Sequence, residues 1–171
     1  MFSLFLDVLV LRLYEEEKLY EFARNSKIPI INGLTNESHP CQGLTDIYTF
    51  QEFRGSISGK KVVWLGVANN VFQSFLHAAV ALKFQIVFSG PSKFQPGGKM
   101  LDFVQNHVSD VLTIEPNPVA AVESADLVVT DKWVSMHDNQ LPKSDIDDLA
   151  SYRVTKKLLG FARTDVLFMH C

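Results

Sequence analysis

Short apolar runs alternate with amphipathic segments along most of the chain. Five runs are rich in apolar residues, as in strands that are buried on both faces of a parallel sheet. They lie at 61–66, 85–89, 111–114, 127–130 and 166–170. The segments between them have the apolar spacing of helices, at 70–82, 99–107, 119–123, 144–150 and 154–162. Strands separated by helices predict an α/β fold with a doubly wound parallel sheet and right-handed crossovers.

The start of the chain predicts a smaller strand, helix and strand unit. Its elements are a strand at 4–13, a helix at 15–25 and a strand at 28–31. The first strand is almost wholly apolar, so we expect it to be covered on both faces. A βαβ unit of this size is too small to be a domain.

A helix from His39 to about Phe53 follows this unit, and we interpret it as a link between two parts of the chain. The predicted division is a βαβ remnant at 1–38, a linking helix at 39–54 and an α/β domain at 55–171. The last strand of this domain has no helix after it, although chains of this class usually cover such a strand. We therefore expect the domain to be incomplete at its C-terminus.

The charge and the cysteines limit the kinds of partner and the compartment that we expect for the chain. With 16 basic and 19 acidic residues, the net charge is -3 and leaves no electrostatic footprint for nucleic acid. The apolar start has no positive leading region, contains Asp7 and Arg12, and is too short to span a bilayer, so no membrane partner is expected. Cys41 and Cys171 lack the spacing of a zinc site, which favours a reducing compartment such as the cytoplasm.

The stretch His39-Pro40-Cys41-Gln42 carries two side chains that can polarise a carbonyl group. Pro40 suits the first turn of a helix that Asn36 or Ser38 can cap, and His39 and Gln42 would then share one face. An isolated histidine at a helix start is more often a structural hydrogen-bond partner. The neighbouring motifs are what favour a site here.

Other polar groups follow the predicted strands, at the sheet edge where open α/β proteins bind ligands. They are Arg12, Asn69-Asn70, Asp131, Ser135, the Met136 backbone and Cys171. Together they predict a pocket for a molecule with an amino group and a carboxylate. The alternatives are that the asparagines cap a helix, that Asp131 caps a loop and that Trp133 belongs to the core. No Gly-x-Gly-x-x-Gly segment follows a strand, so a nicotinamide or flavin cofactor is rejected.

Taken in order, these motifs closely resemble the carbamoyltransferases, and the ornithine-specific members more than the aspartate-specific ones. The matching pieces are Arg12, Asn32-Gly33-Leu34-Thr35, His39-Pro40-Cys41-Gln42, Gly66 with Asn69-Asn70, Thr130-Asp131-Lys132-Trp133-Val134-Ser135-Met136 and Phe168-Met169-His170-Cys171. The resemblance implies transfer of a carbamoyl group from carbamoyl phosphate to the side-chain amine of ornithine, giving citrulline and phosphate in arginine biosynthesis. It implies no metal or organic cofactor, and full-length relatives are homotrimers.

The resemblance also assigns roles to the candidate residues. Arg12, His39 and Gln42 bind carbamoyl phosphate and stabilise charge that grows on its carbonyl oxygen, and Cys171 lies near the reacting amine. The amino-acid end of ornithine is assigned to Asn70, Asp131, Ser135 and the Met136 backbone. The unit at 1–38 is then the end of the carbamoyl-phosphate domain, and 55–171 is most of the ornithine domain.

Departures from the family pattern leave alternatives open. The phosphate-binding Ser-x-Arg-Thr-Arg motif and the Leu-Pro after His-Cys are absent, so we expect a chain truncated at both ends, with little or no turnover. Val67-Ala68 replaces the usual Asp-Gly, and His137 replaces a glycine whose backbone freedom it lacks. The alternatives are a non-catalytic remnant, an amino-acid-binding module, or a carbamoyltransferase for a different amine.

Overall fold

The computed structural model of the chain describes residues 4–107, 110–134 and 141–171, whose strands form two parallel sheets. The elements in chain order are β1 (Leu9–Arg12), α1 (Glu16–Asn25), β2 (Ile30–Leu34), α2 (Pro40–Arg54), β3 (Lys61–Leu65), α3 (Asn70–Leu82), β4 (Gln85–Ser89), α4 (Lys99–His107), β5 (Leu112–Ile114), α5 (Pro118–Val122), β6 (Leu127–Thr130), α6 (Lys143–Ala150), α7 (Lys156–Leu159) and β7 (Leu167–His170).

The larger sheet has the strand order β5-β4-β3-β6-β7, with every neighbouring pair parallel. The chain runs outward from β3 to β5, returns to place β6 on the other side of β3, and ends at β7. Leu65 at the end of β3 lies opposite Thr130 at the end of β6. The connection after β3 leads to β4 on one side of the sheet, and the connection after β6 leads to β7 on the other side. Open α/β sheets bind ligands in the crevice beyond the strand ends at such a reversal.

Alternation along β3 shows why helices cover both faces of this sheet. Val62 and Trp64 are buried in one core cluster, which α3 and α4 help to form, whereas Val63 and Leu65 are buried in a second cluster with α5 and α7. Because successive side chains point to opposite faces, a strand that is apolar throughout needs cover on both. The predicted doubly wound parallel α/β fold is confirmed.

The N-terminal sheet differs from its prediction. Its strand was expected at 4–13 with both faces covered, but β1 contains only four residues, and Leu4 and Phe5 before it are 79% and 78% exposed. Val10 lies opposite Ile31 on one face of the sheet, where they are 58% and 43% exposed. The prediction of two-sided cover was wrong because, among the described residues, the face of this sheet that carries Val10 and Ile31 is left partly open.

Helix α2 leads from the small sheet to the large one. It packs against β2 and α3, and its Ile47 and Phe50 side chains belong to the main core. The N-cap residue is His39, without a side-chain capping bond, so neither Asn36 nor Ser38 has the capping role expected of it. Among the described residues, no helix has the length and apolar character needed to cross a bilayer.

Helix α7 is shorter than the predicted segment at 154–162. The side chain of Thr155 accepts a hydrogen bond from the Leu158 N–H at 3.1 Å and caps the helix one residue before Lys156. Gly160 ends it after a single turn. A local cap therefore set this boundary, which the apolar spacing did not reveal.

Candidate functional site

A cavity of about 390 Å³ lies beyond the carboxyl ends of the strands, where the two sheets face each other. Its walls come from the segments that follow β1, β2, β3, β6 and β7. Its lining residues include five of the predicted site residues: Arg12, His39, Asn70, Asp131 and Cys171. Gln42 is not in the lining, and Ser135 and Met136 lie outside the described residues.

Asn69 connects the loops that follow the two central strands. Its side-chain oxygen accepts hydrogen bonds from the N–H groups of Val71 and Phe72, each at 3.1 Å, and so caps α3. Its Nδ2 donates to Oδ2 of Asp131 at 2.6 Å, while Oδ1 of Asp131 accepts from the Lys132 N–H at 2.6 Å. The Asp131 carboxylate is thus held through both oxygens, by charge-assisted bonds, at the cavity wall.

Asn70 is already engaged with the protein. Its Nδ2 donates to the Thr35 carbonyl oxygen at 2.7 Å, and its Oδ1 accepts from the Val71 N–H at 3.0 Å. The first bond joins the start of α3 to the loop after β2, which belongs to the other sheet. One amide N–H and one oxygen lone pair are left for a ligand.

His39 enters the cavity from the start of α2. Burial lowers the pKa of its imidazole below the ordinary value, the Arg12 guanidinium lowers that pKa further, and the Asp131 carboxylate opposes them. The ring is therefore neutral near pH 7 and can donate one N–H. Its Nδ1 is buried and has no hydrogen-bond partner among the described residues.

Cys171 follows β7 and also lines the cavity. Burial raises the pKa of its thiol to about 11, and the carboxylates of Asp131 and Asp46 contribute to the rise. About one thiol in ten thousand is then ionised at pH 7, so Cys171 is a poor nucleophile. The His170 side chain is exposed on the other face of the strand, as the alternation predicted.

Gln42 bonds within its own helix. Its Nε2 donates to Oδ1 of Asp46 at 2.9 Å, one turn further along α2. Asp46 is buried, its Oδ2 has no partner among the described residues, and burial raises the pKa of its carboxyl group. This bond leaves the Gln42 amide oxygen and its second N–H for a ligand.

The charge around the cavity favours an anion. Arg12 and Lys132 both line it, and in the described part of the chain neither side chain has an ion-pair partner. Among the described residues, Asp131 contributes the one side-chain carboxylate of the lining, and His39 is neutral. Counting side chains alone, two cations and one carboxylate leave a formal charge of +1.

The lining also contains residues that were not predicted from the sequence to face a cavity, and three of them matter for the site. Asn69 was weighed only beside Asn70, Lys132 was not considered, and Trp133 was expected in the core. The signal for Asn69 was available, because the loops after β3 and β6 must be neighbours in a doubly wound sheet. Nothing in the local sequence shows that Trp133 faces a cavity. Within the described ranges, no three His, Cys, Asp or Glu side chains come together as metal ligands.

The fold and the cavity define a class of protein. It is an α/β protein with a ligand cavity at the reversal point of a doubly wound sheet, where a second, smaller sheet supplies an arginine and the start of α2 supplies a histidine. One part of the lining is cationic, and another presents a fixed carboxylate beside two amides. Such a cavity suits an anion together with an amine.

Comparison with known families identifies this class. Residues 58–171 match the family described as aspartate/ornithine carbamoyltransferase, Asp/Orn binding domain, and residues 1–52 match its carbamoyl-P binding domain. The chain belongs to the aspartate/ornithine carbamoyltransferase family. It is 47% identical over 170 residues to an ornithine carbamoyltransferase from Ruegeria pomeroyi and 46% identical to one from Paracoccus denitrificans.

Solved structures agree with this assignment. The ornithine carbamoyltransferase from Pyrococcus furiosus matches 99% of the chain with a TM-score of 0.89 and 34% identity. That from Burkholderia thailandensis also matches 99%, with a TM-score of 0.85 and 36% identity. The chain spans 55% of the length of the Ruegeria and Paracoccus relatives and 55% and 53% of these two structures.

Proposed function

We propose that the chain takes part in carbamoyl transfer from carbamoyl phosphate to the side-chain amine of ornithine, a step of arginine biosynthesis that gives citrulline and phosphate. The observation that carries this proposal is the meeting of five predicted site residues in one cavity, although they are spread from Arg12 to Cys171. Relatives named ornithine carbamoyltransferase support ornithine as the amine.

We also propose the division of labour along the chain. Residues 1–38 belong to the carbamoyl-phosphate part, 39–54 form the linking helix, and 55–171 form the ornithine part. The separation of β1 and β2 from the five-stranded sheet supports this division.

The anionic substrate is assigned to the cationic part of the cavity. Arg12 attracts the phosphate end, and the neutral His39 imidazole donates an N–H to the carbonyl oxygen of the carbamoyl group. A donor fixed where charge develops stabilises the transition state more than the ground state. Gln42, which is outside the lining, stays a predicted member of this group, with the amide oxygen and N–H that its bond to Asp46 leaves unused.

The amino-acid end of ornithine is assigned to the amide and carboxylate part. The Asp131 carboxylate, which Asn69 fixes, accepts hydrogen bonds from an ammonium group of ornithine. Asn70 has one N–H and one lone pair to offer. Ser135 and the Met136 backbone complete the set as predicted from the family pattern.

The reaction then depends mainly on how the two substrates are positioned. The lone pair of the neutral side-chain amine attacks the carbonyl carbon, and the π electrons of the C=O bond move to its oxygen. When the C=O bond reforms, the C–O bond to phosphate breaks and its electron pair leaves with phosphate, and the proton lost by the amine nitrogen passes to the departing phosphate. Holding both substrates in one cavity could lower the barrier by about 7–11 kcal/mol. Cys171, protonated at neutral pH, contacts the amine and forms no bond to carbon.

Compartment and assembly are part of the proposal. Both cysteines are free thiols, and Cys41 is exposed, which suits the reducing cytoplasm. The homotrimer of full-length relatives stays a prediction. The 171 residues contain no Ser-x-Arg-Thr-Arg segment, so we expect binding with little or no turnover from this chain alone.

Calorimetric titration of the purified chain tests the proposal. We expect saturable heat with carbamoyl phosphate and then with ornithine, and loss of the ornithine heat in Asp131→Ala. The matched control is Asp147→Ala, since Asp147 is an exposed aspartate on α6 outside the cavity. A citrulline assay runs in parallel.

The outcomes separate the alternatives. Absence of heat with both substrates, or equal losses in Asp131→Ala and Asp147→Ala, would overturn the proposal. Heat with ornithine but none with carbamoyl phosphate would instead support an amino-acid-binding module. Substantial citrulline formation would support carbamoyl transfer and contradict the expectation of low turnover.

A further inference from the structure

We infer that Ser74 is a positioning residue of this site, whose hydroxyl sets the place of His39 relative to Asn69 and Asn70. Ser74 does not line the cavity, so it acts through the two helix starts that do. The inference goes beyond the proposed function, and its ligand measurement rests on that function.

The hydroxyl of Ser74 bridges two segments that are far apart in sequence. Its Oγ accepts a hydrogen bond from the His39 backbone N–H at 2.8 Å and donates to the Asn70 carbonyl oxygen at 3.1 Å. His39 precedes α2 and Asn70 begins α3. One side chain therefore ties together the backbones of two cavity-lining residues.

Packing makes this bridge stiff. Ser74 is only 6% exposed, although it also borders a second cavity, of about 490 Å³. Gly43 faces it from α2, where an added Cβ would lie 3.4 Å from the Ser74 Cβ. The two helices therefore approach closely at this point, and a small hydroxyl-bearing side chain fits between them.

His39 depends on this bridge because, within the described part of the chain, no hydrogen bond holds its ring. Its Nδ1 is buried without a hydrogen-bond partner among the described residues, and no side chain caps α2. The position of the imidazole then follows from the position of its backbone. Loss of the Ser74 hydroxyl would leave the His39 N–H unpaired, and water would enter to satisfy it.

Ser74→Ala removes the bridge, and Ser151→Ala is the control. Ser151 is exposed at the end of α6, outside the cavity. The pKa of the His39 imidazole, followed by proton NMR in the full 171-residue chain without ligand, is the main measurement. Arg12 and Asp131 are the charged groups that act on this imidazole.

In Ser74→Ala we expect the pKa of His39 to rise toward its ordinary value, because burial is the main cause of its depression. His77, on the same helix, is an internal reference whose pKa is also lowered by burial. It should not change, whereas a general loosening of α3 would raise both. Binding of carbamoyl phosphate should weaken about fivefold to tenfold, as for one lost hydrogen bond, and Ser151→Ala should leave it unchanged.

Ser74→Cys has the same shape with a somewhat larger atom, and it replaces the hydroxyl with a weaker hydrogen-bonding group. It should give a smaller rise in the His39 pKa, and it takes the place of the alanine variant if that variant does not fold. An unchanged His39 pKa in the folded variants, or an equal rise at His77, would overturn the positioning role. Absence of carbamoyl phosphate binding to the unmodified chain would count against the proposed function and leave the NMR result to decide the role of Ser74.

Discussion

Replacement of Asn69 by alanine should damage the stability and the ligand site together. The change removes the cap of α3, worth about 1 kcal/mol, and a hydrogen bond to a carboxylate, worth about 1.5–3 kcal/mol when fully shielded. Asp131 is partly exposed, so water restores some of the second contribution. We expect the free energy of unfolding to fall by about 2–3 kcal/mol, or Tm by about 4–12 °C.

Two further variants separate the cap from the carboxylate contact. Asn117 caps α5 in the same way, accepting from Val119 and Ala120 N–H groups at 3.0 and 3.4 Å, but it lies outside the cavity. Asn117→Ala should therefore cost about 1 kcal/mol and leave ligand binding unchanged. Asn69→Asp keeps a good cap but sets a second carboxylate against Asp131, so ornithine binding should be lost with less harm to the helix.

Urea unfolding at pH 7.5, followed by tryptophan fluorescence, gives the stability, and calorimetry gives the ornithine affinity. We expect Asn69→Ala to weaken ornithine at least tenfold because Asp131 is no longer held. The reasoning would be refuted if Asn69→Ala were no more destabilising than Asn117→Ala and bound ornithine as the unmodified chain does.

Three other predictions concern single groups. Iodoacetamide should alkylate the exposed Cys41 before Cys171 at pH 8, and the slow rate of alkylation at Cys171 should rise about tenfold per pH unit toward pH 11. Mass spectrometry of the labelled chain measures both rates, and equal rates at pH 8 would contradict this. Burial raises the pKa of Asp46 in the folded state, so the stability that its protonated carboxyl group contributes is lost as the pH rises above the pKa of the unfolded chain. In urea at pH 7, Asp46→Asn should therefore be more stable than the unmodified chain, and the difference in the free energy of unfolding should close toward pH 4. A variant that is less stable at pH 7 would refute this. Gly90→Ala should lower the free energy of unfolding by more than about 2 kcal/mol, because its Cβ would lie 2.0 Å from a backbone oxygen. Gly97→Ala, whose Cβ would have nothing within 4 Å, should be nearly neutral in the same urea assay. Similar effects of the two substitutions would refute the clash.

The large sheet was predictable because burial on both faces leaves a strong mark on the sequence. The bounds of α3 and β4 agree with the apolar pattern, since each strand and helix of the doubly wound core must bury the residues that show it. Prediction was poorer at β1, whose apolar residues lie on a partly open sheet. The same apolar run is compatible with a covered or an uncovered strand, and only the segments that pack over each face of the sheet decide between them.

The candidate residues were also partly predictable. Four polar residues stood at predicted strand ends, where the topology of a parallel sheet brings them to one edge: Arg12, Asn70, Asp131 and Cys171. The direction of each side chain was not predictable. Gln42 shares a helix turn with His39, yet it bonds to Asp46, and Asn70 donates to Thr35.

By itself, the sequence determined the alternation of strands and helices, the family motifs and their order, because these depend on local spacing and residue type. Only the tertiary structure decided that Asn69 holds Asp131, that Ser74 bridges His39 and Asn70, and that burial keeps the Cys171 thiol protonated. Each of these includes at least one interaction between groups that lie 35 or more positions apart along the chain. Their distances follow from how β3, β6 and α2 pack, and no local pattern records that packing.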